Sequence, residues 1–207
     1  MSPPADTVVK LYFAYTSPYT YLAMQPAYDL ERSHRVRVRF IPYGVNIRKV
    51  YGPLDRADAD RRKVRYLYLD ARRIAKERGL VIHPPAKIFS ARLAFYGGLY
   101  AEKHARFRAY SDRVFERFWK QDLDVEDRAA IARIIAEVGL DSAAFVRYVD
   151  SDARADLDAC FAEADRDQVF GVPTFVVEGE PFWGEDRIDW VVRKLDAMGL
   201  RRDLSPA

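Results

Sequence analysis

At 207 residues the chain suits one domain or at most two, and it is long enough to bury roughly 70% of its extended surface without a disulfide or metal staple. Its one cysteine excludes an internal bridge, a Cys-x-x-Cys redox pair and a multi-cysteine zinc site. The 34 basic residues are interspersed with 31 acidic ones, so the net charge of +3 leaves no basic stripe for nucleic acid, and no apolar run approaches the ~20 residues of a membrane helix. Residues 1–6 read as a frayed end with no secretory pattern, and the cytoplasm is the expected compartment. Val8, Val9, Leu11, Tyr12 and Phe13 then form a buried strand that stops at Thr16-Ser17-Pro18. A hydroxyl followed by Pro starts a helix, because the side-chain oxygen caps a free N–H and Pro at the first helical position gives up nothing. Tyr19, Leu22, Ala23 and Leu30 follow at helical spacing, and Pro26 is expected to kink that helix.

A strict alternation follows. Arg35, Arg37 and Arg39 face one way and Val36, Val38 and Phe40 the other, as in a half-buried strand. Three arginines on one face read either as an edge strand blunted by charge or as a nucleic-acid patch, and the edge strand is the expectation. From about residue 58 to 168 the periodicity is helical. Helices are expected around Val64–Ala75, Ile88–Leu99, Phe107–Phe118, Ile131–Val138, Phe145–Tyr148 and Leu157–Ala164. The last part reads as a hairpin, Thr174–Val177 and Pro181–Trp183 about a turn at Gly179, then a helix carrying Ile188, Val191, Val192 and Leu195. Strands at both ends with helices between predict an α/β fold interrupted by an all-helical insertion. The discontinuous part spans 7–57 and 168–200, and the insertion 58–167.

Three places carry candidate chemistry. Ser17 sits at a helix N-terminus, where free N–H groups and the helix dipole favour an anion such as a thiolate; the same serine also reads as a plain cap. Val172-Pro173 precedes a strand. A cis bond there would turn a backbone edge outward for an extended peptide, whereas a trans bond would make it an ordinary loop. Gly184-Glu185-Asp186-Arg187 opens the last helix, where Asp186 holds a ligand ammonium group, caps the helix, or does both. His34, His83 and His104 lie in unrelated contexts, and Gly97-Gly98 falls within a helix rather than a phosphate loop. Cys160 lies on the apolar side of its helix as a small buried hydrophobe. Arg48, Lys49, Arg61, Arg62 and Lys63 gather positive charge, either to focus an acidic substrate or as a solvated face.

Taken in order, these segments resemble the thioredoxin fold with an inserted helical domain. Thr16-Ser17-Pro18-Tyr19-Thr20 resembles the Thr-Cys-Pro-x-Cys segment of bacterial disulfide oxidoreductases, with hydroxyls at both cysteine positions. The chain is more similar to the 2-hydroxychromene-2-carboxylate isomerases and kappa-class glutathione transferases. That likeness runs through Ser17-Pro18-Tyr19-Thr20-Tyr21-Leu22, Phe170 to Phe175, Trp183 to Arg187, and Lys63 with Asp70, Arg72 and Arg73. The segment 43–54 departs from the family, with Asn46 out of register.

The resemblance implies glutathione as cofactor, a small aromatic or electrophilic substrate, and a homodimer. By position, Ser17 would hydrogen-bond the glutathione sulfur, and the backbone of Val172 beside Pro173 would pair with the tripeptide. Asp186 would hold its γ-glutamyl end with the N–H groups at Glu185, and Lys63 would reach the cleft. Such an enzyme borrows its reactive sulfur, in keeping with one buried cysteine. The alternatives are a kappa-like transferase and a thioredoxin-like module that grips a peptide or partner without chemistry. A thiol-disulfide oxidoreductase is a further rival, nearly excluded because neither Ser17 nor Thr20 can form a disulfide.

Overall fold

The strand β1 (Thr7–Phe13) runs through the middle of a four-stranded sheet in a computed structural model that describes residues 7–44 and 59–202, with side chains in the second stretch from residue 62. Its Val, Leu and aromatic side chains suit a strand covered on both faces, and Val9, Leu11, Tyr12 and Phe13 are fully buried. Helix α1 (Pro18–Ser33) follows and leads into β2 (Val36–Pro42), which pairs parallel to β1. A right-handed strand–helix–strand crossover is the usual way to join parallel neighbours. Pro26 sits inside α1 without ending it.

After β2 the described residues form six helices: α2 (Ala59–Glu77), α3 (Arg92–Lys103), α4 (Phe107–Trp119), α5 (Arg128–Glu137), α6 (Ser142–Asp150) and α7 (Ala153–Arg166). The chain then returns to the sheet as β3 (Thr174–Val177) and β4 (Glu180–Trp183). A single 3-10 turn (Glu185–Arg187) leads into α8 (Ile188–Ala197). The strand order is β2-β1-β3-β4, with β3 antiparallel to both β1 and β4. This is the expected α/β architecture with helices inserted between two halves of one sheet.

The edge placement of β2 bears out the reading of its arginines. Arg39 donates to Glu163 of α7 at 2.7 Å, and Arg35 donates to the carbonyls of Gly199 and Arg201. Two of the three guanidinium groups are therefore engaged in hydrogen bonds within the chain.

Sheet and insertion share one aromatic core. Phe13 meets Tyr15, Phe107 and Phe95 at ring separations of 5.1, 5.6 and 6.0 Å, edge-on in each case. Tyr15 ends in a hydrogen bond with Ser111, 2.8 Å, wholly inside the protein. Gly97 and Gly98 on α3 make this possible. A Cβ at Gly98 would lie 2.7 Å from the Tyr15 hydroxyl, and one at Gly97 would strike the Tyr110 ring. The glycine pair is a packing surface.

One helix boundary differs from expectation. α3 begins at Arg92, and Ile88, expected on its apolar face, is 52% exposed. Glu126 holds the preceding segment out of the helix: it accepts from the Ser90 N–H at 2.7 Å and from Lys87 at 2.6 Å. Phe89 supplies the apolar contact instead, edge-on to Phe118 at 5.5 Å. Cys160 is buried as expected, and burial pushes its thiol up to about 11. Among the described residues no helix is long and apolar enough to cross a membrane.

Candidate active site

Ser17 is the N-cap of α1. Its backbone is extended (φ −100°, ψ 119°), its oxygen accepts from the Thr20 N–H at 3.3 Å, and Pro18 occupies the first helical position. The hydroxyl proton has no acceptor among the described residues, and the side chain is half-buried. Thr20 is different. It is fully buried, and its hydroxyl accepts from the Ala14 N–H at 3.5 Å, tying the loop back to β1. Of the two hydroxyls in the cysteine positions, Ser17 faces outward and Thr20 braces the turn.

The sheet brings the second motif to Ser17. β1 and β3 pair Tyr12 with Thr174 and Leu11 with Phe175; the same register, continued two residues, sets Val172 opposite Ala14. The Val172-Pro173 bond is cis. The Thr174 hydroxyl donates to the Gly171 carbonyl at 2.8 Å and fixes the approach. Neither the N–H nor the carbonyl of Val172 has a hydrogen-bond partner among the described residues. Phe170 and Trp183 flank this loop as an edge-to-face ring pair at 4.8 Å, and they are 61% and 53% exposed.

The third motif joins through the backbone: the Gly184 N–H donates to the Pro173 carbonyl at 2.9 Å. Gly184 has φ 125°, a conformation that other residues avoid, and a Cβ there would collide with the Asp186 carboxylate. The exposed Asp186 carboxylate accepts from Arg187 at 2.9 Å. Glu185 is 8% exposed, and its carboxylate accepts from Arg78 at 3.0 Å. That side chain is committed within the protein, which leaves its backbone N–H, unpaired among the described residues, as the group able to meet a ligand.

Ser17, Val172, Pro173, Glu185 and Asp186 thus converge at the C-terminal end of β1. Lys63 comes from the helical insertion. It is exposed on α2, two turns before Asp70 on the same stripe, a separation of about 10 Å along the axis. Asp70 reaches the site, because Tyr19 donates to it at 2.8 Å. Burial and the Asp70 carboxylate both push the Tyr19 phenol well above its ordinary range. Asn46, Arg48 and Lys49 lie outside the described residues, as does the side chain of Arg61. Sequence reasoning missed Arg78 as part of the site. Its only local signal is a basic residue at a helix end, which reads as a partner for the dipole.

A profile of the family described as "DSBA-like thioredoxin domain" matches residues 8–196. Over 184 residues the chain is 28% identical to a 2-hydroxychromene-2-carboxylate isomerase of Pseudomonas putida, covering 87% of this chain and 90% of that one. It is 27% identical over 188 residues to the protein of the same name in Sphingobium xenophagum, covering 88% and 95%. A solved structure of a selenomethionine 2-hydroxychromene-2-carboxylate isomerase superposes with a TM-score of 0.78 at 27% identity, over 93% of this chain and 96% of that one. The resemblance in the sequence is therefore borne out along nearly the whole chain, in fold and in the relatives it points to.

Proposed function

This chain belongs to the DsbA-like thioredoxin domain family, and from that premise we propose that it is a glutathione-dependent isomerase of an aromatic-derived unsaturated carboxylate. The observation that carries this reading is the Ser17 hydroxyl, whose oxygen is held by the Thr20 N–H while its proton has no acceptor among the described residues. Glutathione, when bound, supplies a thiolate that adds reversibly to the unsaturated substrate and leaves after a bond has rotated.

The chain's part is binding and charge stabilisation. Ser17 donates to the sulfur at the positive end of a helix, which favours the thiolate over the thiol. The N–H and carbonyl of Val172, unpaired among the described residues, fit the backbone of an extended peptide, as in strand addition. Asp186 takes the γ-glutamyl ammonium, and the N–H of Glu185 its carboxylate. Lys63, carried on α2 with Asp70, would reach the cleft beside the cofactor. Fit to the cofactor rests on donors and acceptors left over after the fold has satisfied the rest.

Calorimetric titration with glutathione tests the reading directly, and no heat at millimolar ligand would overturn it. In Ser17→Ala the pKa of the bound thiol, followed by thiolate absorbance, is expected to rise by about one unit. An unchanged titration would remove Ser17 from the mechanism. A second reading, a peptide-gripping module without chemistry, draws on the unpartnered Val172 backbone beside the exposed Phe170–Trp183 pair. Glutathione binding that depends on Ser17 through its thiol pKa would speak against that module.

A further inference from the structure

We infer that Arg78 is a positioning residue for the ligand's γ-glutamyl end, an inference that rests on the glutathione reading above. Arg78 lies just beyond the last residue of α2, and its guanidinium spans three elements. One nitrogen donates to the Leu22 carbonyl in α1 at 2.6 Å. Another donates to the Glu185 carboxylate at 3.0 Å, in the 3-10 turn that opens onto Pro173. Glu185 is 8% exposed, and its carboxylate has no other hydrogen-bond partner among the described residues. A buried carboxylate left without its cation costs far more than an exposed one, so the turn is held where Arg78 holds it.

The geometry bears on the site through neighbours. The turn carries Asp186 one residue on and the unpaired Glu185 N–H, and α1 carries Ser17 at its start. Arg78 therefore sets the distance between the group that meets the sulfur and the groups that meet the far end of the tripeptide. A planar fork can donate in two directions at once, which a lysine ammonium on a flexible stem does with less fixed geometry.

The test uses the full chain as Arg78→Met and Arg78→Lys, with two probes, glutathione and cysteinylglycine, which lacks the γ-glutamyl residue. Amide hydrogen exchange of the ligand-free protein is read at Gly184 and Arg187, whose N–H groups are hydrogen-bonded to Pro173 and Gly184. Arg78→Met is expected to speed exchange at both amides, to weaken glutathione about tenfold, and to leave cysteinylglycine unchanged. Arg78→Lys is expected to fall between it and the parent, and it carries the test if the Met variant does not fold. Unchanged exchange at Gly184 and Arg187 would overturn the inference, and so would equal weakening of both probes. If the parent binds neither probe, the glutathione reading falls, and exchange alone decides whether Arg78 holds the turn.

Discussion

Two of the junctions between the sheet with its flanking α1 and the helical insertion use the same chemistry to different ends. At α7, Lys10 bridges Glu163 at 3.0 Å and Asp167 at 2.7 Å, Tyr12 donates to Asp167 at 2.6 Å, and Arg39 donates to Glu163 at 2.7 Å. At α2, Tyr19 donates to Asp70, and Arg78 joins Leu22 to Glu185. The α7 junction is closed: each carboxylate has two donors, and each donor is matched inside the protein. The α2 junction stands beside groups left over, namely the Ser17 proton, the Val172 peptide and the Glu185 N–H. That leftover capacity lies where the proposed ligand would bind. Saturated capacity marks where the fold is fastened.

The strongest way to break that contrast is at Lys10. Its side chain is 28% exposed, and its partners Glu163 and Asp167 are 14% and 19% exposed. Lys10→Met is expected to lower unfolding stability by about 2 kcal/mol in urea while leaving glutathione affinity unchanged. A matching loss of affinity would mean that the two junctions are one. Acid probes the same network. Burial works against the charged forms of Glu163 and Asp167, but Lys10 with Arg39 and Lys10 with Tyr12 outweigh it, so both carboxyls sit below their ordinary values of 4.5 and 3.8. A carboxyl depressed in the folded state contributes stability that is full above its unfolded pKa and lost as pH falls through the folded one. The parent is therefore expected to weaken below about pH 4, and Lys10→Met is expected to show a shallower acid slope.

Tyr19→Phe is the matching change at α2. It removes one hydrogen bond to Asp70 and is expected to cost about 1 kcal/mol. Here the contrast predicts a split of the opposite kind, with a small change in stability and a measurable rise in the KM for a carboxylate substrate, because α2 carries Lys63. A stability loss equal to that of Lys10→Met, with KM unchanged, would place α2 among the fastenings.

How much of this was legible in the sequence follows from the range of each interaction. Ser17 and Pro18 define their cap from adjacent residues, and the alternation at Val36–Phe40 needs only period two, so both were readable locally. Gly184 and Asp186 also act on each other two residues apart. Arg78 and Glu185 lie 107 residues apart, and Tyr19 and Asp70 51 apart; neither pair has a local signature. The misplaced start of α3 has the same cause. Ile88 has helical spacing to Ala91 and Phe95, yet Glu126, 36 residues from Ser90, captures the segment first. Thr20 shows a subtler limit. Its side chain matches Ser17 as a hydroxyl at a cysteine position, and only the packing of the β1–α1 loop turns it inward.

The smallest expected effect concerns Cys160, which sits on α7 behind the closed junction. With its thiol pushed up to about 11, about one molecule in a thousand carries the thiolate at pH 8. Alkylation of the folded parent is expected to be far slower than that of free glutathione, and to proceed mainly through opening of α7. Lys10→Met loosens that helix and is expected to speed labelling several-fold. Tyr19→Phe, acting at the other junction, is expected to leave the labelling rate where it was. Rapid labelling of the parent would mean that α7 is not fastened, and equal acceleration in both variants would mean that the two junctions open together. Mass spectrometry of the alkylated chain reads all three rates at one residue, since Cys160 is the chain's single cysteine.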